Sequence, residues 1–268
     1  MHVHFLDPYR PRPSLIHALD PRVKLALALA FILAVALTPI AAWPVYVLLA
    51  ALLLSVVLLS ELGVGHVLKR SALALPFVLA AIPILVTAPG ATLWEATLAG
   101  LSLRLTDAGL ARFGSIVLKS WLSVQMAIVL AASTTFPQLL LAMRALRVPR
   151  LLVAIFGLMW RYLFVLVDEA LRLLRARAAR SAAPTRPIAG ARPGGSVAWR
   201  ARVAGGMAGN LLIRSFDRGE RIYAAMAARG YDGEIRAFPM PPIPAGQRLA
   251  LIGGLVLLAL LVGLGHLL

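Results

Sequence analysis

The chain has 268 residues, of which 60% are hydrophobic and only 14% are charged. This composition excludes an ordinary soluble domain and predicts an integral membrane protein. The 27 basic residues outnumber the 11 acidic ones, and the lack of cysteine excludes disulfides and thiolate metal sites. Acids, prolines and arginines precede the first apolar run, which is not typical of a secretory signal peptide, so we expect the first membrane helix to direct its own insertion.

Apolar runs of roughly 20 residues are expected to cross the bilayer. The five predicted spans are 25–42, 43–60, 71–88, 113–132 and 249–268. A sixth run, 151–167, carries Arg161 in its middle, which is costly at the bilayer centre. It continues without a break into "DEALRLLRARAARS", so an oblique or in-plane helix is favoured over a span. Lys119 lies inside the fourth run and is expected to snorkel toward the headgroups.

The distribution of arginine orients the spans. Residues 133–248 hold 18 of the 27 basic residues, all arginine, against six acids. Since cytoplasmic loops are enriched in Lys and Arg, we expect the arm 1–24 and residues 133–248 in the cytoplasm and the carboxyl terminus outside. The predicted fold is therefore an all-α integral membrane protein. It is a five-span helical bundle (25–132 and 249–268) with a helical cytoplasmic segment inserted before the last span.

Two long helices are predicted within residues 133–248. The stretch "AAPTRPIAGARPGG" at 182–195 is rich in proline and glycine and predicts a loop. It separates a helix ending near Ser181 from another that runs from about Ser196 to Arg229. Gly230 is expected to stop the second helix, because glycine adopts the left-handed conformation without a steric penalty. The two helix ends read Ala179-Arg180-Ser181 and Ala228-Arg229-Gly230.

Catalytic and metal-binding patterns are weak in this sequence. "GSIVLKS" at 114–120 lacks the glycine that a phosphate loop needs immediately before its lysine, so ATP hydrolysis by this chain is not expected. "MHVH" at 1–4 could hold nickel or cobalt, but two histidines near a terminus are an ordinary feature, and we predict no metal site. The arginine-rich surface could bind anionic lipid or nucleic acid. Because sidedness already accounts for the arginines, the lipid bilayer is a predicted partner and nucleic acid is not.

Four blocks in a fixed order carry a resemblance to a known family. They are "HALDPRVKL" (17–25), "ASTTFPQLLLAMRALRVPRLL" (132–152), "WRYLFVLVDEALRLLRARAARS" (160–181) and "LLIRSFDRGERIYAAMAARGYDG" (211–233). Together they resemble the transmembrane T component of energy-coupling factor (ECF) transporters. More narrowly, they resemble the CbiQ type, which serves cobalt and sometimes nickel uptake. The resemblance covers nearly the whole chain.

The resemblance implies a non-catalytic scaffold and energy-coupling subunit of an ABC importer in the bacterial cytoplasmic (inner) membrane. Its implied partners are two ATP-binding cassette ATPases, a CbiM-like substrate-binding membrane subunit and a small accessory membrane subunit. ATP and magnesium would sit on the ATPases, and the cobalt or nickel ion on the substrate-binding subunit. This chain would then bind no cofactor itself, and residues 133–248 would be a coupling segment.

The resemblance also assigns roles to residues. Each arginine-tipped helix would insert into a groove on one ATPase, and the small neighbours would let the helix end approach closely. The residues implied in docking are Ala179, Arg180, Ser181, Ala228, Arg229 and Gly230. Arg177 competes for the first site, because "ARA" precedes "ARS" in the sequence. Asp20, Arg22 and Lys24 are predicted to orient the first helix and its cytoplasmic contacts.

Three alternatives stay open at this point. A T component of a vitamin-type ECF importer would share most of these blocks. A self-sufficient permease would need ionisable residues on several spans, whereas Lys119 is the only clear internal charge. A membrane lipid- or phosphate-processing enzyme would need convergent acids or a histidine near the interface, and the sequence offers neither.

Overall fold

The computed structural model describes residues 8–98, 101–180, 196–233 and 241–267. They fall into two compact units, one made of residues 1–146 and 240–268 and the other of residues 147–239. The helices are α1 (Leu15–Ala18), α2 (Pro21–Leu37), α3 (Trp43–Leu59), α4 (Val64–Arg70), α5 (Leu75–Ala81), α6 (Ile84–Thr87), α7 (Asp107–Ser133), α8 (Phe136–Ala145), α9 (Arg150–Arg180), α10 (Val197–Ala227) and α11 (Ala245–Leu267).

The first unit is a bundle built around α2, α3, α7 and α11. Helix α2 begins where Asp20 caps the chain and Pro21 fills the first helical position, where a missing N–H costs nothing. Phe31 of α2, Leu49 of α3 and Leu122 of α7 are almost fully buried in one apolar core. Helix α8 also packs against α2, and the unit extends to residue 146. The boundary at 132 between the membrane spans and a cytoplasmic segment stays a prediction.

The helices that could cross a membrane differ in part from the five predicted spans. Among the described residues, four helical stretches are long and apolar enough to cross a membrane: Val64–Thr87, Asp107–Ser133, Arg150–Arg180 and Ala245–Leu267. Helices α2 and α3 have 17 residues each, so they are about 26 Å long, slightly less than the hydrocarbon thickness of about 30 Å. The first predicted span was too long at its carboxyl side, because α2 ends at Leu37 and a turn follows.

The third predicted span is interrupted. It starts earlier than expected, at Val64, and passes through α4, a 3₁₀ turn at Ser71–Ala74, α5 and α6. Pro76 and Pro83 lie at the starts of α5 and α6, where proline lacks the N–H that a continuous helix would need. The sixth apolar run behaves differently, since it belongs to the unbroken 31-residue helix α9. Length and composition alone allow α9 to cross a membrane, and its in-plane orientation stays a prediction.

A short antiparallel hairpin joins α6 to α7. It consists of β1 (Thr92–Leu98) and β2 (Leu101–Thr106), with Leu98 opposite Leu101. The sequence "LSLRLT" alternates apolar and polar residues, which is the period of a β-strand. The prediction of an all-α membrane fold is confirmed for the bundle, and the hairpin is a small β addition that the prediction lacked.

Helix α7 supports the turn between α2 and α3. The Lys119 ammonium donates to the Ala36 carbonyl oxygen at 2.9 Å, which satisfies one of the last carbonyls of α2. The Ser115 hydroxyl oxygen accepts the N–H of Ala41, which holds a left-handed conformation with φ of 65°. Lys119 therefore has a specific partner inside the chain, whereas the sequence predicted only a snorkelling side chain.

Replacing Gly109 by alanine is expected to destabilise the bundle. A Cβ at this position would lie 2.8 Å from the Leu85 carbonyl oxygen and 3.1 Å from that of Ile84, so backbone would have to move. We expect a loss of about 1–3 kcal/mol in the free energy of unfolding, the usual cost of overpacking. Thermal unfolding in detergent measures it, with Gly253→Ala as the control, since nothing lies within 4 Å of that site. Equal unfolding temperatures for the two variants would contradict the close approach.

Candidate functional site

Helices α9 and α10 make up most of the second unit and run antiparallel. The Arg214 guanidinium donates to the Glu169 carboxylate at 3.0 Å. Further along, the Arg177 guanidinium lies 5.8 Å from the centre of the Trp199 ring, within the range of a cation–π interaction. Later residues of α9 thus meet earlier residues of α10. The carboxyl ends of the two helices therefore lie at opposite ends of the pair.

This arrangement separates the two arginine tips. Each helix has 31 residues and is about 46 Å long. Arg180 lies at the end of α9 beside the start of α10, and Arg229 lies just beyond the far end of α10. The two arginines are therefore on the order of 40 Å apart, from the rise per residue of an α-helix. They can bind two separate partners and cannot share one pocket.

The end of α10 is closed by a Schellman motif. The Tyr231 N–H donates to the Met226 carbonyl oxygen and the Gly230 N–H to that of Ala227, both at 3.0 Å. Gly230 has φ of 80°, which confirms the prediction that it stops the helix in a left-handed conformation. Ala228 and Arg229 are exposed at this ordered end. The motif therefore presents the Arg229 side chain from a well-defined backbone.

At the end of α9, Arg180 is exposed to solvent, whereas Arg177 packs against α10. Ala179 and Arg180 are exposed in the last turn, while Ser181 lies outside the described residues. Arg177 is half-buried against Trp199. Of the two arginines that competed for this site, Arg177 takes part in the packing of the helix pair. Arg180 is the residue whose side chain faces solvent, where a partner can reach it.

An apolar groove runs between α9 and α10 toward the Arg229 end. It encloses about 690 Å³ and is lined mainly by aliphatic and aromatic side chains. Those from α9 include Leu151, Ile155 and Tyr162, and those from α10 include Ile222, Tyr223 and Met226. The groove itself depends on pairing residues some 70 positions apart, which a single sequence does not reveal.

Asp20 and Arg22 form a second polar cluster in the first unit. Arg22 donates through Nε and Nη2 to the two oxygens of the Asp20 carboxylate, at 3.0 and 2.8 Å. The same Nη2 donates to the Pro241 carbonyl oxygen at 2.5 Å, and the Asp20 N–H donates to the Gln247 side-chain oxygen at 2.7 Å. The Arg22 guanidinium holds the pKa of the Asp20 carboxyl below its usual value.

Lys24 extends this cluster toward α7. Its ammonium donates to the Ser133 carbonyl oxygen at 2.9 Å, and the residue is only 7% exposed. Nearby, the Arg10 N–H donates to the Ala132 carbonyl oxygen at 2.9 Å. We call Asp20, Arg22, Lys24 and the groups they bind the amino-terminal junction. All three residues were predicted to orient the first helix. Apart from the Asp20–Arg22 pair, their partners lie 109 to 227 positions away and could not be read from the sequence.

Metal-ligating side chains do not converge in the described part of the chain. There, the structure has no group of three or more histidine, aspartate or glutamate residues able to hold a metal ion. His2 and His4 of the "MHVH" stretch lie outside the described residues.

The helices define a multi-pass helical membrane protein, and comparison with known proteins gives its family. The family model described as "Cobalt transport protein", CbiQ, matches residues 12–239, and the chain belongs to this family. The predicted resemblance to CbiQ-type proteins is thereby confirmed.

Individual relatives share about 30% identity with parts of the chain. A cobalt transport protein CbiQ of Rhodobacter capsulatus is 30% identical over 148 residues, or 55% of this chain and 56% of the relative. A nickel permease LarQ of Lactiplantibacillus plantarum is 33% identical over 101 residues, or 38% and 33% of the two chains. An uncharacterized protein of Methanocaldococcus jannaschii is 27% identical over 160 residues, or 60% and 51%. The matches thus span about half the length of these relatives or less.

Replacing Gly230 by alanine is expected to loosen the tip of α10. A left-handed backbone costs a non-glycine residue about 1–2 kcal/mol, and the two closing hydrogen bonds depend on that conformation. Exchange of the amide hydrogens at position 230 and at Tyr231 should therefore be faster in the variant than in wild type. Gly219→Ala, in open space on the same helix, is the matched control. If both variants exchange at wild-type rates, the closing motif does not hold this helix end.

Acidification is expected to remove the stabilising contribution of Asp20. Its pKa in the folded chain is lowered from 3.8, chiefly by the hydrogen bond from Arg22. The contribution is therefore present above the ordinary pKa and is lost as the pH falls through the lowered folded value. Between pH 6 and pH 3, wild type should lose up to about 1 kcal/mol more stability than Asp20→Asn, which keeps a helix cap. Parallel thermal unfolding curves for the two proteins would contradict the pairing.

Proposed function

We propose that this chain is the transmembrane scaffold and energy-coupling subunit of an ECF-type ABC importer for cobalt or nickel. It transmits ATPase motion through α9 and α10 to a separate substrate-binding membrane subunit. One observation carries the proposal: two exposed arginines, each at the carboxyl end of a long helix, lie at opposite ends of an antiparallel pair. Such a pair fits two identical or similar partners placed side by side.

Arginine suits this docking role chemically. Its guanidinium is always charged and offers five donors in a planar fork that matches carboxylates and carbonyl oxygens at an interface. The small neighbours Ala179, Ala228 and Gly230 leave room for a partner backbone to approach each helix end. A cation at a helix carboxyl end also interacts favourably with the helix dipole, which stabilises the tip before any partner binds.

The stiffness of the helices supplies the coupling. Each ATPase holds one tip, and ATP binding brings the two ATPases together, so the two tips move relative to each other. A helix about 46 Å long converts a small displacement at its tip into a larger movement elsewhere along its length. The apolar groove between α9 and α10 changes shape with that movement and is the proposed contact for the substrate-binding subunit, whose membrane helices present apolar surface.

The proposed substrate is a cobalt or nickel ion, supported by the names of the family and of two relatives. In this proposal the metal ion binds the separate membrane subunit, ATP and magnesium bind the ATPases, and this chain performs no catalysis. The membrane is the bacterial cytoplasmic membrane, with the amino terminus and residues 133–248 in the cytoplasm. The arginine distribution supports this orientation.

The docking role of the arginine tips can be tested by charge reversal in the assembled complex. Arg180→Glu and Arg229→Glu are each expected to weaken ATPase retention at least about tenfold, because losing one partner of an interfacial charge pair costs about 2–5 kcal/mol. Metal uptake by cells should fall in parallel, and the double variant should lose both. Pull-down with tagged ATPases and uptake of cobalt and nickel measure the two effects.

Matched controls come from the same two helices. Arg175 on α9 and Arg221 on α10 are exposed, and each donates to a carbonyl oxygen one turn earlier in its own helix. Arg175→Glu and Arg221→Glu make the same charge change away from the tips and should keep ATPase retention and uptake. Full retention in the Arg180 and Arg229 variants would refute docking through the tips. Uptake without any ATPases would favour a self-sufficient permease, and ATPase-driven uptake of a vitamin alone would favour the vitamin-type importer.

A further inference from the structure

The amino-terminal junction lies where both chain connections between the two units begin or end. The first unit ends at residue 146 and resumes at residue 240, so the chain leaves it through α7, Thr134, Thr135 and α8 and returns through residues 240–247. The two units are joined covalently along these two paths. Side chains that bind both connections to the same helix are therefore candidates for transmitting motion of α9 and α10 to the bundle.

The outgoing path is held at its start by Lys24. The Lys24 ammonium is buried and donates to the carbonyl oxygen of Ser133, the last residue of α7. That carbonyl is one of the four that an α-helix leaves without an internal partner, so the lysine both closes α7 and ties it to α2. Helix α8, which follows two residues later, packs against the same α2.

The return path is held by Arg22 and Asp20. The Arg22 guanidinium donates to the Asp20 carboxylate and to the Pro241 carbonyl oxygen at the same time. Six residues further along the chain, the Gln247 side chain accepts the Asp20 N–H. The Asp20 carboxylate thus orients the Arg22 guanidinium so that it faces the Pro241 carbonyl oxygen. Lysine in its place would keep the charge and lose this geometry.

Resting on the proposed function, we propose that Asp20, Arg22 and Lys24 are positioning residues for energy coupling. They tie both connections of the α9–α10 unit to the amino end of α2, so that motion of α9 and α10 is delivered to α2 and the helices packed on it. Asp20, Arg22 and Lys24 lie within the five residues "DPRVK", so one short segment at the start of α2 contacts both paths. All three residues belong to the first unit, whereas Arg180 and Arg229 belong to the second.

Tethering is tested first on the full-length chain in lipid nanodiscs by amide hydrogen exchange. Arg22→Gln should speed exchange at least about fivefold at Gln247 and Arg248, whose N–H groups donate to the Pro244 carbonyl oxygen, because the start of α11 opens more often once its tie to α2 is lost. Lys24→Met should do the same near Ser133. Arg22→Lys should give an intermediate rate at Gln247 and Arg248. Arg12→Gln is the matched control, since Arg12 is an exposed arginine of the same arm. Unchanged exchange in both junction variants would overturn the tether.

Coupling is tested in proteoliposomes holding the complete transporter. The readout is the number of ATP molecules hydrolysed per metal ion taken up, which a merely structural role would leave constant among correctly assembled complexes. Arg22→Gln and Lys24→Met should raise this ratio at least about fivefold while keeping ATPase retention, a change in the range of usual coupling free energies. Arg12→Gln should keep the wild-type ratio.

The outcomes separate this proposal from the proposed function. A wild-type ratio in the junction variants, or loss of ATPase retention in them, overturns the positioning role and leaves docking through the tips intact. A wild-type complex that shows no ATP-driven uptake of cobalt, nickel or a vitamin refutes the proposed function, and the coupling role falls with it. The exchange measurement still decides in that case whether the tether exists.

Discussion

The antiparallel pairing of α9 and α10 is the constraint on which the rest of the proposed mechanism depends. Two helices that each end in an exposed arginine would present both tips on one side if they ran parallel. Running antiparallel, and held by the Glu169–Arg214 ion pair and the stacking of Arg177 on Trp199, they present the tips on the order of 40 Å apart. In the proposed mechanism, this separation lets two ATPases bind at once, and a change in the distance between the ATPases alters the helix pair.

In the bundle, lysine side chains bind the carbonyl groups at the ends of neighbouring helices. Lys119 closes the carboxyl end of α2 and Lys24 closes that of α7, so two of the three lysines in the chain satisfy helix-terminal carbonyls of a neighbouring helix. In an apolar surrounding such carbonyls find no water and need a protein donor. Ion pairing and capping therefore set where helices end and which helices they touch, while apolar packing around Phe31 and Leu49 supplies cohesion.

Local sequence rules predicted some of the features that depend on neighbouring residues. Gly230 stops α10 in the left-handed conformation as predicted, because helix stops arise from the sterics and hydrogen bonds of a few adjacent residues. The start of α2 at Asp20 and Pro21 is equally local but was not predicted, since the first span was expected to begin at residue 25. The second strand of the hairpin, Leu101–Thr106, was equally local, and its alternating pattern was present in the sequence. It was overlooked because the composition of the chain as a whole favours helices.

The sequence by itself determined that this is a helical membrane protein, that two long basic helices end in Ala-Arg motifs, and that the chain resembles CbiQ-type proteins. Only the tertiary structure decided that Arg177 packs on Trp199 while Arg180 stays exposed, that the two tips lie at opposite ends, and that Arg22 and Lys24 reach Pro241 and Ser133. The physical reason is distance along the chain. Periodicity, caps and composition depend on residues that are close together in the sequence. Partners 22 to 219 positions apart are brought together only when the whole chain folds.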